Sequence, residues 1–494
     1  MVHFIWVLIV IVYSSCTVFN FGDGHAYYFE RRVNGKEVGG LSPFIGKLMQ
    51  VRKPNDLVLF GGDSFSGHPA FRVSGYEFIV DFMTYLQVDA FVLGNHEFDK
   101  GIAHLKKFLM LMKGKVPIIS CNVFGLENIE PFIIVNRLDP YGNAIKVGIL
   151  GVTTVEAITS DGVTVVDPYK VLPHYIDLLR HERKVDKLIL LSHSGIEIDI
   201  TFANLYDIDL VAGGHSHTLM SNDMNDLKNE NCLKLPLIIH NTAISHAGCH
   251  YTGFSSVDLF TLKGKRYSIT NNELFPKDEF IEQSLSQIKQ KLAKNSVPLF
   301  HNTESLSWEQ CKLGQAPLGT LICESMLYGF KKHVKQDNNI LTIAMMNERG
   351  IRADLPAGPI SKNSIYEILP FENHLSFTLI TGKQLKTIIN RVYSNRNAPS
   401  ILQFSNNVAI ELKNKEILNG RLKGYLNTVY VANKYCEYKE LQDNQKIRLL
   451  SSSFVFRNGD SIFTPKSYST SIYSLDELLI DYLVERYAPY PKNN

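Results

Sequence analysis

Five times within its first 217 residues this chain runs from an apolar, strand-forming stretch straight into Asp, Asn or His. The runs are Asp23-Gly24-His25, Gly62-Asp63, Gly94-Asn95-His96-Glu97-Phe98-Asp99, Ser192-His193 and Gly214-His215-Ser216-His217. Stretches such as Leu57-Val58-Leu59-Phe60 and Leu188-Ile189-Leu190-Leu191 precede them. A fold that buries those stretches as neighbouring strands brings the polar groups out together at one edge of a sheet. Carboxylate oxygen, amide oxygen and imidazole nitrogen in one set suit zinc, manganese or iron, whereas calcium takes oxygen alone. Two such ions about 3.5–4 Å apart can grip both the attacking and the departing oxygen of an in-line displacement. Asp63 is the natural bridge between them. Taken singly, a strand-end His or an Asp-Gly turn is unremarkable; the ordered set carries the reading.

At 494 residues the chain is long enough for about two or three domains, and 45% hydrophobic residues can fill their cores. The formal net charge is +2 with no long basic run, so nothing calls for a nucleic-acid polymer as partner. From Thr17 to about residue 270, strand-like runs alternate with helical patterns at 75–86, 102–112 and 169–183, which predicts layered α/β architecture. Ile281, Leu285, Ile288 and Leu292 then mark an amphipathic linker helix over 278–294. Beyond it, helical patterns at 318–330 and 382–392 mix with a strand at 427–432, a second α/β domain. The expected division is 1–16, 17–276, 277–295 and 296–494.

The segment 1–13 is apolar and ends in Ser14-Ser15-Cys16, the pattern of a cleaved leader, and it is shorter than the ~20 residues a membrane span needs. After Glu477, Asp481, Glu485 and Arg486 interrupt any apolar tail that could anchor the chain. The expectation is a secreted protein with no stable membrane anchor; its oligomeric state is left open. Cys121, Cys232, Cys249, Cys311, Cys323 and Cys436 follow the leader. They are too sparse for a disulfide scaffold. Cys232–Cys249 is the expected pair, and Cys121 is expected as a buried free thiol.

Asp-x-His, Gly-Asp, Gly-Asn-His-Glu, a strand-end His and Gly-His-x-His, in that order, resemble the signature of the calcineurin-like metallophosphoesterases. The run Gly94 to Asp99 is similar to that of the 5'-nucleotidase family within them, which includes ecto-5'-nucleotidases, UDP-sugar hydrolases and secreted apyrases. The resemblance covers essentially the whole chain after the leader. It implies a four-layer αββα metallophosphoesterase domain, a linker helix and a second α/β domain that binds substrate. It further implies that Asp23, His25, Asp63 and His217 hold one ion, and that Asp63, Asn95, His193 and His215 hold the other. Zinc is the expected metal, with manganese as the alternative. His96 and Asp99 become the catalytic dyad: the imidazole stabilises or protonates a phosphoryl or leaving oxygen, and the carboxylate sets its tautomer. A hydroxide supplied by the metals serves as nucleophile, in keeping with the absence of a Gly-x-Ser-x-Gly run.

Met346-Asn347-Glu348-Arg349-Gly350-Ile351-Arg352, followed by Leu369-Pro370-Phe371, resembles the substrate-binding part of the same family. By that resemblance Arg352 grips phosphate, Phe371 and Phe454 sandwich a base, and Asn347 and Asp460 reach base or ribose. Lys332 replaces a basic residue of the phosphate pocket, offering a point charge where a guanidinium offers a fork. Glu348 and Arg349 stand where the family usually has glycine, adding bulk and charge to a loop near the ligand. The resulting expectation is hydrolysis of AMP, or of ATP and ADP as an apyrase. UDP-sugar or cyclic-nucleotide cleavage, and nucleotide capture with poor turnover, stand as alternatives.

Overall fold

The apolar stretches do form strands, and their side chains are buried on both faces, as parallel strands packed between other layers require. Leu57 through Phe60 and Leu188 through Leu191 are all fully buried. The computed structural model describes residues 15–33, 36–157, 162–229, 231–270, 275–334, 340–432, 436–457 and 459–487. The chain divides into two compact units, Met1–Ser66 with Ala70–Ile288, and Gly67–Pro69 with Lys289–Asn494. The amphipathic helix expected over 278–294 forms at Glu279–Lys294, with Ile281, Leu285 and Ile288 buried.

Two six-stranded sheets build the first unit. In one, Thr17–Phe21, Leu57–Phe60, Ala90–Val92 and Ile118–Ile119 run parallel, and Gly253–Asp258 pairs antiparallel to the first of them. In the other, Ala144–Thr153, Lys187–His193, Leu210–Gly213 and Thr242–His246 run parallel. Strand alternation decides which residues face which layer. Leu57, Leu59, Ala90 and Val92 of the first sheet share one apolar cluster with Ile149, Ile189, Leu191 and Ala212 of the second. The alternate residues Leu150, Val152, Leu188, Leu190 and Val211 face helices Pro168–Asp177 and Ile196–Leu205 through Leu172, Ile176 and Phe202. On the far side of the first sheet, Phe21 and Phe60 meet Phe44 and Phe91, and Phe91 meets Phe108 of helix Ile102–Met112. This is the expected αββα sandwich.

The helical pattern at 75–86 becomes Glu77–Tyr85. That at 169–183 becomes Pro168–Asp177, capped by the Asp167 carboxylate on the Tyr169 N–H and continued by a wide turn over Leu178–Glu182.

In the second unit Leu402–Phe404, Leu341–Asn347, Lys446–Ser452, His374–Thr381 and Ser469–Ser474 form a five-stranded sheet. Ala344 and Met346 pack toward helices Pro317–His333 and Leu475–Tyr487, while Ile343 and Met345 pack toward helix Gly382–Ser394 and the hairpin Val408–Leu418/Arg421–Ala432.

Two expectations about cysteine change. Cys232 and Cys249 are both free thiols, because Cys249 turns toward His217 and His250 while Cys232 lies in strand Cys232–Lys234. Cys16, placed in the leader by its sequence, is fully buried in the core between the sheets, and its carbonyl accepts from the Leu259 N–H. Residues 1–14 of the leader lie outside the described residues. Cys121 is buried and free, as expected.

Truncating Leu191 to Ala removes a branched side chain from between two rigid sheets and should cost ~2–5 kcal/mol. The check is the urea midpoint of the first unit's unfolding transition, which is expected to fall.

Candidate metal centre

Every predicted ligand of the first unit sits at the carboxyl end of a parallel strand. Asp23 and His25 follow Thr17–Phe21, Asp63 follows Leu57–Phe60, and Asn95 follows Ala90–Val92. His193 ends its strand, and His215 and His217 follow Leu210–Gly213. The loops are stitched together by backbone bonds: Asp23 N–H to the Gly62 carbonyl at 2.9 Å and His25 N–H to the Asp63 carbonyl at 3.0 Å. Asp23, His25, Asp63, His215 and His217 all have φ between 47° and 75°, strained for such residues and clustered as functional-site strain usually is.

Six of the seven predicted ligands converge as two adjoining groups. Asp23, His25 and His217 form one, with His25 Nε2 and His217 Nε2 only 3.0 Å apart. Asp63, His193 and His215 form the other, with His193 Nε2 at 3.1 Å from Asp63 Oδ2. Asp63 Oδ2 is also 3.8 Å from His25 Nε2 and 3.9 Å from His96 Nε2, so this carboxylate lies beside histidines of both groups. The seventh, Asn95, has its Oδ1 buried with no hydrogen-bond partner among the described residues, as is expected of an oxygen kept for a cation. The His193 Nδ1–H donates to the Gly61 carbonyl at 2.5 Å, which fixes the tautomer and turns Nε2 inward. His215 is tied in by its own N–H, which reaches the Asp23 carboxylate at 3.0 Å. These donors fit a pair of divalent cations.

Electrostatics point the same way. Burial, the largest influence on Asp23, pushes it up to about 8. Burial also acts to raise Asp63, but the charges of His193 and His96 overcome it and hold Asp63 well below the usual carboxylate range. Burial acts to lower His193, and the adjacent Asp63 reverses this, lifting it to about 10. A ligand set that holds such protons must release them to coordinate metal.

His96 Nδ1 lies 2.7 Å from Asp99 Oδ2, and its Nε2 faces Asp63 Oδ2 at 3.9 Å. The backbone N–H of His96 donates to Asp63 Oδ1 at 2.9 Å.

Two groups of residues with no role assigned in the sequence hold this geometry. Glu97, fully buried, accepts from the N–H groups of Asp63 at 2.9 Å, Ser64 at 2.7 Å and Gly94 at 2.7 Å, and from the Ser64 hydroxyl at 2.9 Å. It joins two ligand loops through one carboxylate. The signal was present in the Gly-Asn-His-Glu run, but a Glu beside ligands reads as a ligand or as solvent-facing until its partners are known. Behind the second group, the Ser192 hydroxyl donates to Asp199 at 2.5 Å and His246 Nε2 lies 2.8 Å from the same carboxylate, all three side chains buried. Gly213 crosses directly over that pair, where a Cβ would collide with His246 Nε2 and the Asp199 carboxylate.

In the second unit Asn347 Nδ2 donates to Asp460 Oδ2 at 2.8 Å, and Arg349 pairs with Asp460 Oδ1 at 3.5 Å. The exposed Arg352 guanidinium lies 5.8 Å from the Phe371 ring centroid. Phe454 lies against Gly459, where a Cβ would collide with the ring. Glu348 does not load the loop surface with charge as the sequence suggests. It is fully buried, paired with Arg421 at 2.8 Å, and accepts from the Ser400 hydroxyl at 2.6 Å. Lys332 extends from the end of helix Pro317–His333 to Tyr328 at 2.7 Å and Glu485 at 3.4 Å, so its charge is engaged by helix Leu475–Tyr487.

The family model for calcineurin-like phosphoesterase matches residues 17–219, and that for the 5'-nucleotidase C-terminal domain matches 292–466. The chain is 28% identical to a 5'-nucleotidase of Homo sapiens over 379 residues, 71% of this chain and 65% of that protein. It is 24% identical to a 5'-nucleotidase-related protein of Glossina morsitans morsitans, over 96% of this chain and 92% of that one. Among solved structures, a 5'-nucleotidase precursor from Thermus thermophilus matches with a TM-score of 0.77 and 26% identity, covering 96% and 97% of the two chains. The match thus spans a little under two thirds of the mammalian relative's length.

Replacing Glu97 with Ala strands several buried donors at ~1–3 kcal/mol each. The expected result is a lower melting temperature together with reduced divalent-metal content by elemental analysis. Metal uptake should release protons and weaken as pH falls. Isothermal titration in buffers of different ionisation enthalpy measures that release. With both family models matched in this order, the chain carries a calcineurin-like phosphoesterase domain followed by a 5'-nucleotidase C-terminal domain.

Proposed function

We propose that this chain is a secreted, metal-dependent phosphohydrolase that removes phosphate from extracellular nucleotides, either AMP or, as an apyrase, ATP and ADP. The observation that carries the proposal is the position of Asp63, whose one carboxylate faces His193, His25 and His96 at 3.1, 3.8 and 3.9 Å. Two divalent ions held by that set would supply Lewis acidity toward a phosphoryl oxygen and a water acidic enough to attack near neutral pH. Four imidazoles among the seven ligands favour zinc over manganese. His96 carries the protein's own chemistry. With Nδ1 held by Asp99, its Nε2 is aimed to donate to a phosphoryl or leaving-group oxygen.

For the substrate, Arg352 offers an exposed guanidinium suited to phosphate, and Phe371 and Phe454 offer ring faces to a base. Asp460, joined to Asn347 and Arg349, is suited to read ribose or base. Burial of Glu348 against Arg421 weakens the case for a misshapen loop and favours turnover over mere nucleotide capture. No helix among the described residues is long and apolar enough to cross a membrane. The apolar leader supports export, and the burial of Cys16 favours cleavage ahead of that residue.

Phosphate release from AMP, ADP, ATP, UDP-glucose and a cyclic nucleotide, with zinc or manganese added back to metal-free protein, tests the proposal. His96→Ala should lower kcat by ~10²–10⁴. Arg352→Ala should raise KM by ~10–100-fold through loss of a charged hydrogen bond, with kcat less affected. Absence of metal-dependent release from every substrate by folded, metal-loaded protein would overturn it.

A further inference from the structure

The turn after strand Thr242–His246 presents Cys249 and His250 to the outer side of His217, and the ligand atoms of these three residues lie within 4.8 Å of one another. None of the roles assigned above uses Cys249 or His250. The turn is fastened to the metal loops at both ends: Gly248 N–H donates to the Thr218 carbonyl at 3.0 Å, and His250 N–H to the Asp23 carbonyl at 2.9 Å. The Arg266 guanidinium holds the Ala247 carbonyl at 2.6 Å. The His250 ring packs on Tyr27 with centroids 4.0 Å apart and stands edge-on to both His25 and His217. A thiol and two imidazoles are therefore held in place, not gathered by chance from mobile side chains.

We propose that His217, Cys249 and His250 form an accessory site for a soft divalent cation, zinc above all, next to the dinuclear centre and sharing His217 with it. Thiolate and imidazole bind zinc at about 2.3 and 2.0–2.1 Å, so atoms already within 4.8 Å need only small shifts to close on one ion. A thiolate ligand discriminates sharply: it selects zinc or cobalt over manganese or magnesium, which the oxygen-bearing centre accepts more readily. Because His217 also faces His25 and Asp23, an ion at the accessory site draws on a ligand of the catalytic pair. Excess zinc then inhibits, and excess manganese does not.

The inference rests on the dinuclear reading for its consequence, and a cobalt titration of the metal-free full chain separates the two. Nitrogen and oxygen ligands give cobalt only weak visible bands, whereas a bound thiolate adds an intense near-ultraviolet charge-transfer band. The expected result is cobalt uptake beyond the dinuclear pair, with that band present in the wild type and in Cys436→Ser, whose thiol is exposed, and lost in Cys249→Ser. His250→Ala keeps the thiol and should bind the accessory cobalt at least ~10-fold more weakly, in line with the loss of one ligand. Inhibition by excess zinc should be relieved in both site variants. Uptake of a cobalt pair with no thiolate band in the wild type overturns the accessory site and leaves the dinuclear centre standing; no uptake at all overturns both. A band that survives in folded Cys249→Ser also overturns it.

Discussion

Glu97 accepts five hydrogen bonds with its two carboxylate oxygens, and by doing so it locks the loop carrying Asp63 to the loop carrying Asn95 and His96. The rest of the centre depends on that lock. Asp63 can face ligands on both sheets only if its backbone is held in a conformation with positive φ, and the Glu97 carboxylate supplies the bonds that hold it there. A buried carboxylate is costly unless its oxygens are satisfied, and these are. The same interaction sets the close approach at Gly94, where a Cβ would collide with Asp63 Oδ1.

From this lock the division of labour follows. The first sheet supplies Asp23, His25, Asp63, Asn95 and His96, the second supplies His193, His215 and His217, and the apolar layer between the sheets fixes their separation. The second sheet has its own brace in Ser192, Asp199 and His246, so neither half of the ligand set relies on loop packing alone. Rigid strands ending in strained, hydrogen-bonded loops suit a centre that must keep buried carboxylates and imidazoles at fixed separations.

The second unit solves a different problem. Its loop Asn347 to Arg352 has one charge turned inward, Glu348 on Arg421, and others turned outward, Arg349 on Asp460 and Arg352 beside Phe371. Inward pairing makes a loop that lacks the expected glycines stiff and still leaves cationic groups on its surface. Lys332, by contrast, is paired with Tyr328 and with Glu485 of helix Leu475–Tyr487.

The sequence by itself determined the layered α/β alternation, the order of strands and ligands, and the closeness of His96 to Asp99, because these follow from apolar periodicity and from spacing within a single turn. That Asp63 would emerge beside the other polar runs was legible from its place directly after a buried strand. Only the tertiary structure decided what depends on meetings between distant segments. Glu97 became the lock between loops; Glu348 turned inward to Arg421, far along the chain. Cys249 turned to His217 and His250 instead of pairing with Cys232, and Cys16 joined the core. Such choices rest on which side chain fills a buried space or meets an opposite charge across the fold, and no local pattern of residues encodes them.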